Sequence, residues 1–122
     1  MGNILRGLCQ CGFDSDELFV GGGFTNFMDT CNAPAICLHC NELLVRNYVE
    51  RNTARCPRCR NTVTFYDDPS LEGPWSETGG YDYLVTVRIA GTGEFFKLAD
   101  TRHLCPKCKN MTLLFEDKGR WD

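Results

Sequence analysis

Apolar positions along this chain recur mostly at every second residue, in short runs bounded by Gly, Pro, Asn or Asp. That period predicts β-strands in preference to helices. The runs fall at 17–20, 42–48, 62–66, 81–90, 94–98 and 112–115, and Ala90-Gly-Thr-Gly93 reads as a hairpin turn between two of them. The stretch 41–55 reads as strand, short polar turn, strand. Within 42–52 the residues Leu44, Val45, Tyr48 and Val49 also satisfy an i, i+4 spacing, so a short helix is the alternative there. Residues 67–80 (DDPSLEGPWSETGG) are rich in Pro, Gly and acids and predict a surface loop. This loop divides a cysteine-rich front from a hairpin-rich back.

Composition narrows the class. The chain has 122 residues, 43% apolar and 24% charged, with a formal net charge of −3. These values fit one compact domain spanning 1–122, neither disordered nor fibrous. No run approaches the 18 or more apolar residues of a membrane span. Residues 1–12 lack the basic start, apolar run and cleavage site of a signal peptide, and Arg6 stands where a myristoylation signal has Ser or Thr. A cytoplasmic protein with no membrane partner is the expectation. A domain of this size buries roughly two-thirds of the surface its unfolded chain exposes, so its core is modest and metal has to contribute.

Cysteine placement carries the chemistry. The nine cysteines lie at 9, 11, 31, 37, 40, 56, 59, 105 and 108, so eight form close pairs and Cys31 stands alone. Two cysteines separated by two residues can point both sulfurs at one ion from a tight turn, whereas a disulfide framework favours scattered positions and an exported protein. Cys37-Leu-His-Cys40, Cys56-Pro-Arg-Cys59 and Cys105-Pro-Lys-Cys108 have that spacing. Cys9-Gln-Cys11-Gly12 is a one-residue variant whose glycine can supply a positive φ. In Cys-Pro-x-Cys the proline fixes the turn, and the N–H groups beyond it can donate to the sulfurs.

These motifs resemble the zinc-ribbon family, in which two rubredoxin-type knuckles hold a small antiparallel sheet. The resemblance is densest over 37–66, where Cys-x2-Cys, fifteen residues and Cys-x2-Cys follow one another. The segment Arg55-Cys-Pro-Arg-Cys-Arg-Asn-Thr-Val-Thr-Phe65 is echoed by Leu104-Cys-Pro-Lys-Cys-Lys-Asn-Met-Thr-Leu-Leu114. The chain departs from the family at Arg60 and Lys109, where a glycine is usual. The resemblance implies a small β-rich metal-stapled domain with little helix: a ribbon core at about 37–66, a hairpin region at about 81–98, and two zinc ions. Iron fits the same knuckles, so a rubredoxin-like electron carrier is a further alternative.

Which pairs share an ion is open on spacing alone. The nested pairing joins 37/40 to 56/59 and 9/11 to 105/108, closing 15 and 93 intervening residues; the sequential pairing closes 25 and 45. Closure entropy grows as roughly (3/2)RT times the logarithm of length, and the two sums differ by about a few tenths of a kcal/mol. The strand-turn-strand reading of 41–55 returns the chain to its own first knuckle and favours nesting.

The expected function follows from closed shells. Four thiolates around one ion leave no water-bearing position, so a structural site and a non-enzyme are expected, acting as a protein-interaction or regulatory adaptor with no small-molecule substrate. Cys31 reads as an inert buried residue, and His39 and His103 as bystanders. Val20-Gly-Gly-Gly-Phe24 lacks the Gly-Lys-Ser/Thr of a phosphate loop and reads as a bulge or close approach. Trp75 reads equally as a partner anchor or a lid over the sheet. Residues 42–61 balance at +3 and 101–122 at +2, whereas 1–41 sum to −3 and 62–100 to −5. Arg46, Arg51, Arg55, Arg58 and Arg60, with Tyr48 and Phe65 as stacking rings, are therefore the contacts of an alternative nucleic-acid-binding ribbon. A pI near 5.3 argues against extensive phosphate contact.

Overall fold

The computed structural model describes residues 2–22, 30–73, 83–89 and 93–121. The strands are β1 (Gly2–Cys9), β2 (Asp14–Gly21), β3 (Asn32–Cys37), β4 (Glu42–Asn47), β5 (Thr64–Phe65), β6 (Tyr83–Arg88), β7 (Phe95–Ala99), β8 (His103–Leu104) and β9 (Met111–Trp121). The larger sheet is antiparallel in the order β4-β3-β2-β1-β9-β8, with β5 added to β3, and β6-β7 form a second, two-stranded sheet. The β-rich expectation holds. Among the described residues helix is limited to 3-10 turns at Tyr48–Glu50 and Pro69–Leu71, each capped by the preceding side chain, Asn47 or Asp68.

Three readings of the pattern are corrected. Residues 41–55 contribute one strand followed by a 3-10 turn, not two strands, because Asn47 accepts from the Val49 N–H and turns the chain. The partner of β4 is instead the upstream β3, from Asn32↔Asn47 to Cys37↔Glu42. Three strands are additional, β1, β3 and the two-residue β8. In β3, Pro34 is tolerated because its side of the strand lies between the β2 contact at Asn32 and the β5 contacts from Ala35; its carbonyl still accepts from the Tyr66 N–H at 3.1 Å. Finally, β9 runs on through the charged stretch after Phe115. A bulge there opposes Asp117 to Leu5 and Gly119 to Ile4, and Gly119 takes φ 142°.

One apolar cluster joins both sheets: Leu5, Val20 and Leu113 from the central strands, Ile36 and Phe65 from the β3–β5 side, and Val85, Val87, Phe96 and Leu98 from β6-β7. Tyr66 is fully buried, lies edge-on to His103 and Phe115, and donates its hydroxyl to the Leu104 carbonyl at 2.9 Å. It thereby ties the end of β5 to β8. The hairpin expected over 81–98 is formed: β6 and β7 are antiparallel, and Ile89 N–H donates to the Glu94 carbonyl at 2.9 Å. Residues 90–92 of its turn, Gly23 and Phe24 of the glycine run, and Trp75 lie outside the described residues. Of that run, Gly21 ends β2 with φ 100°.

His103 is fully buried, and the Thr101 backbone is a polar group that acts on its ring. Burial pushes its pKa down to about 4 from 6.5. As pH falls below 6.5 the unfolded chain takes up a proton that the folded chain refuses until about pH 4, so stability declines across that window. The expected cost between pH 7.5 and 5.5 is about 1 kcal/mol. Urea titrations of wild type and His103→Phe at both pH values should show the wild type losing that much more than the variant; equal losses would refute the assignment.

Candidate metal centres

Each close cysteine pair stands at the tip of a β-hairpin. Cys9 and Cys11 lie where β1 passes into β2, Cys37 and Cys40 between β3 and β4, and Cys105 and Cys108 between β8 and β9. Cys56 and Cys59 cap a small hairpin closed by the Arg55↔Thr62 bridge. The tips share one local form. Asn41, Arg60 and Lys109 N–H groups donate back to the carbonyls of Cys37, Cys56 and Cys105 at 2.8–3.0 Å. In the shortened first tip Gly12 N–H reaches the Cys9 carbonyl at 3.0 Å. The residue after the second cysteine is left-handed in all four, with φ 101° at Gly12, 57° at Asn41, 64° at Arg60 and 64° at Lys109. Arg60 and Lys109 thus adopt the glycine conformation without being glycine, at a cost of roughly 1 kcal/mol each.

The tips converge in two groups, Cys9, Cys11, Cys105 and Cys108, and Cys37, Cys40, Cys56 and Cys59, each with all four sulfurs within 4.8 Å of one another. This is the nested arrangement. Sulfurs 2.3 Å from a tetrahedral zinc stand about 3.8 Å apart. The closest approaches are 3.7 Å for Cys9–Cys108, 3.7 Å for Cys11–Cys105, 3.5 Å for Cys37–Cys59 and 3.9 Å for Cys40–Cys56. All nine cysteines are free thiols. The donor sets therefore fit a four-coordinate thiophilic metal.

The outer contacts favour thiolates. Cys40 N–H points at Cys37 Sγ (3.3 Å), Asn61 Nδ2 donates to Cys59 Sγ (3.4 Å), and the Thr112 hydroxyl lies 3.0 Å from Cys9 Sγ. The Asn61 N–H brings Cys59 down to about 6, and the Thr112 hydroxyl with the Asn110 N–H does the same for Cys108. Their neighbours move the other way: Cys40 is pushed up to about 12 beside Cys59, and burial pushes Cys105 up to about 12. Four ionised sulfurs this close repel, and a central cation is what allows all of them to ionise together.

The two centres share one end of the molecule, where Lys109 Nζ, just after Cys108, donates to Asn41 Oδ1, just after Cys40. Each centre has two buried cysteines, Cys9 and Cys105 or Cys37 and Cys56, and the terminal one is the more open because Cys11 is exposed while Cys40 and Cys59 are half-buried. Cys31 and the two histidines belong to neither group. Cys31 is 2% exposed and raised to about 11 by burial. His39 is exposed on its knuckle.

The nominated arginines are placed as follows. Arg46 is half-buried on β4 opposite Ala33. Arg51 pairs with Glu94 at 2.8 Å and lies over the Tyr48 ring, Arg55 Nη1 donates to the Arg60 carbonyl, and Arg58 pairs with Glu42. Arg60 is exposed. The expected stacking rings are not free: Phe65 is buried, and Tyr48 packs edge-on against Phe65 and Phe96 while donating to Asp67.

Comparison with protein-family models, with curated proteins and with solved structures finds no match for this chain. The site is therefore read from its chemistry.

Metal binding of this kind supplies about 10–16 kcal/mol in isolated zinc-finger peptides, comparable to or above the whole net stability of a small domain. Chelation at neutral pH should abolish the sheet signal in far-ultraviolet circular dichroism; a spectrum unchanged after both ions have left would contradict a structural role. Arg60→Gly and Lys109→Gly should each raise denaturant stability by up to about 1 kcal/mol, and Arg60→Val should lower it, because only glycine takes the left-handed conformation without strain.

Proposed function

We propose that this chain is a non-catalytic zinc-ribbon-like protein whose two four-cysteine centres hold zinc structurally, and that it serves as a protein-interaction or regulatory adaptor. The observation that carries this reading is the pair of closed sulfur tetrahedra at hairpin tips. Each site takes all its ligands from the protein, so no coordination position is left for water or substrate. The cations around the tips support the same reading. Arg55, Arg58, Arg60, Lys107 and Lys109 surround centres whose four thiolates outweigh a divalent ion, and their charge offsets that excess. No helix among the described residues is long and apolar enough to cross a membrane.

Adaptor action rests on surface chemistry. Phe19 is 45% exposed and stacks edge-on with Trp121 at 5.5 Å, and Leu114 is 49% exposed. Large apolar groups left at the surface of a small stapled scaffold suit docking.

Elemental analysis of freshly purified protein should give about two zinc per chain, falling to about one in Cys56→Ser. A red protein carrying iron would replace zinc with the electron-carrier reading, and a ratio near zero would refute metal binding. Photo-crosslinking from position 114 in cells should yield discrete protein adducts; none from positions 114 and 19 together would remove the adaptor role while leaving the metal assignment standing.

A further inference from the structure

Strand β4 stands at the edge of the larger sheet, paired with β3 on one side and with no strand on the other among the described residues. Backbone groups alternate in direction along an antiparallel strand, so one hydrogen bond fixes which residues face outward. Tyr48 N–H donates to the Cys31 carbonyl at 2.8 Å, which makes 31/48 a hydrogen-bonded pair. The register from Asn32↔Asn47 to Cys37↔Glu42 is unbroken, so 33/46 and 35/44 are pairs of the same kind. The N–H and C=O groups of Leu43 and Val45 therefore point away from β3, and neither residue has a backbone partner there among the described residues. Open edges are commonly blunted by Pro, Lys or a bulge. Strand β4 has none of these, whereas β7 carries Lys97 at its centre.

The order Glu42-Leu43-Leu44-Val45-Arg46 is its own complement when read antiparallel. With a second β4 laid beside the first and a two-fold axis at Leu44, Leu43 of each copy exchanges hydrogen bonds with Val45 of the other, which uses every outward group of both residues. Glu42 then stands opposite Arg46 of the other copy, twice over, and Leu44 meets Leu44 across the axis. An axis at Leu43 or Val45 loses both charge pairs. Arg46 has no ion pair among the described residues, although Glu50 lines the cleft of about 270 Å³ beside it. Glu42 meets Arg58 through Oε1, which leaves its other oxygen for a second cation. We propose that two copies of this chain pair edge to edge through β4 about that axis, so that one antiparallel sheet runs through a two-fold dimer. The occupant is a second copy because the edge carries its own complement in both charge and register. This surface is separate from Phe19 and Leu114, and it stands or falls independently of the adaptor reading.

The test is sedimentation equilibrium of the full metal-loaded chain up to about 200 μM, a range that reaches weak interfaces of small area. A reversible rise to twice the chain mass is expected. Amide exchange at Leu43 and Val45 should slow as the dimer forms, while Leu44, bonded to β3 in either state, stays unchanged. Arg46→Glu and Glu42→Arg each bring two like-charge pairs together, so each alone should weaken association roughly 10-fold or more. Mixed in equal amounts, the two variants set opposite charges in both pairs and should recover a heterodimer, which damage to either fold does not produce. Lys97→Glu on β7 should leave association unchanged. Metal content and thermal midpoint confirm that each variant is folded. The proposal is overturned if the wild type stays monomeric throughout, if both charge variants leave a dimer intact, or if their mixture fails to associate. A monomer that leaves cells in fixed ratio with a different protein, and is released from it by Arg46→Glu, gives the edge to a foreign strand and overturns the proposal as well.

Discussion

Four hairpin tips meeting in pairs around thiophilic sites is the constraint on which the rest of this molecule depends. A hairpin tip is where a small β domain is least able to hold itself, because turn residues bury little and their backbone groups face water. Here each tip carries two cysteines that meet those of a second tip, and a metal bound between them would join the two. Tips that would otherwise fray become fixed points. The strands between them can then be short, as β5 and β8 are with two residues each, because they need only carry the chain from one fixed point to the core.

The terminal centre depends on more than its own sulfurs. Cys9 and Cys108 are 99 residues apart, and the β1–β9 pairing from Gly2↔Trp121 to Cys9↔Leu113 brings them together. The ladder fixes register so that Cys9 faces Thr112 and Cys108, and an ion held by those sulfurs would close the ladder's end. The internal centre is more local, since β3 and β4 form one hairpin and the 55–62 hairpin follows a few residues later. Tyr66 then links the two regions through the core, leaving β5 beside the internal centre and reaching the carbonyl of Leu104, the residue before Cys105.

The parts of this arrangement that sequence expresses are the local ones. Metal spacing is a matter of three or four residues, so the eight cysteines that converge could be named, and alternation marked β2, β4, β6 and β7 to within a few residues. The nested pairing could be named too, although the ground for it, two strands within 41–55, is not what forms. What was illegible is where the inward positions are small. In β1 the buried side is Leu5, Gly7 and Cys9, and β3 is buried on both faces from Ala33 to Cys37 with three small residues and a proline among its five, so neither strand shows the large apolar alternation that marks its neighbours. Pro34 further disguises β3, since a missing donor is harmless only where the flanking pairings leave a gap. The charged end of β9 reads as a tail because the bulge at Gly119 and the pairing with β1 exist only in three dimensions.

Charge shows the same separation between local and spatial information. By sequence the arginines of 42–61 are the basic region, yet those around the knuckles stand beside eight clustered cysteines whose ionisation they would offset, and Arg51 and Arg58 already meet carboxylates. Segment 62–100 is the most acidic by count, yet folding turns Glu94 toward Arg51 and Asp67 toward Tyr48, and sets Arg88 and Lys97 side by side on the outer face of β6-β7. A net charge summed over a segment therefore misplaces the cationic surface. The distinction is physical, because a cation offsetting a buried thiolate cluster is not free to attract a second anion, and one standing alone on a sheet face is.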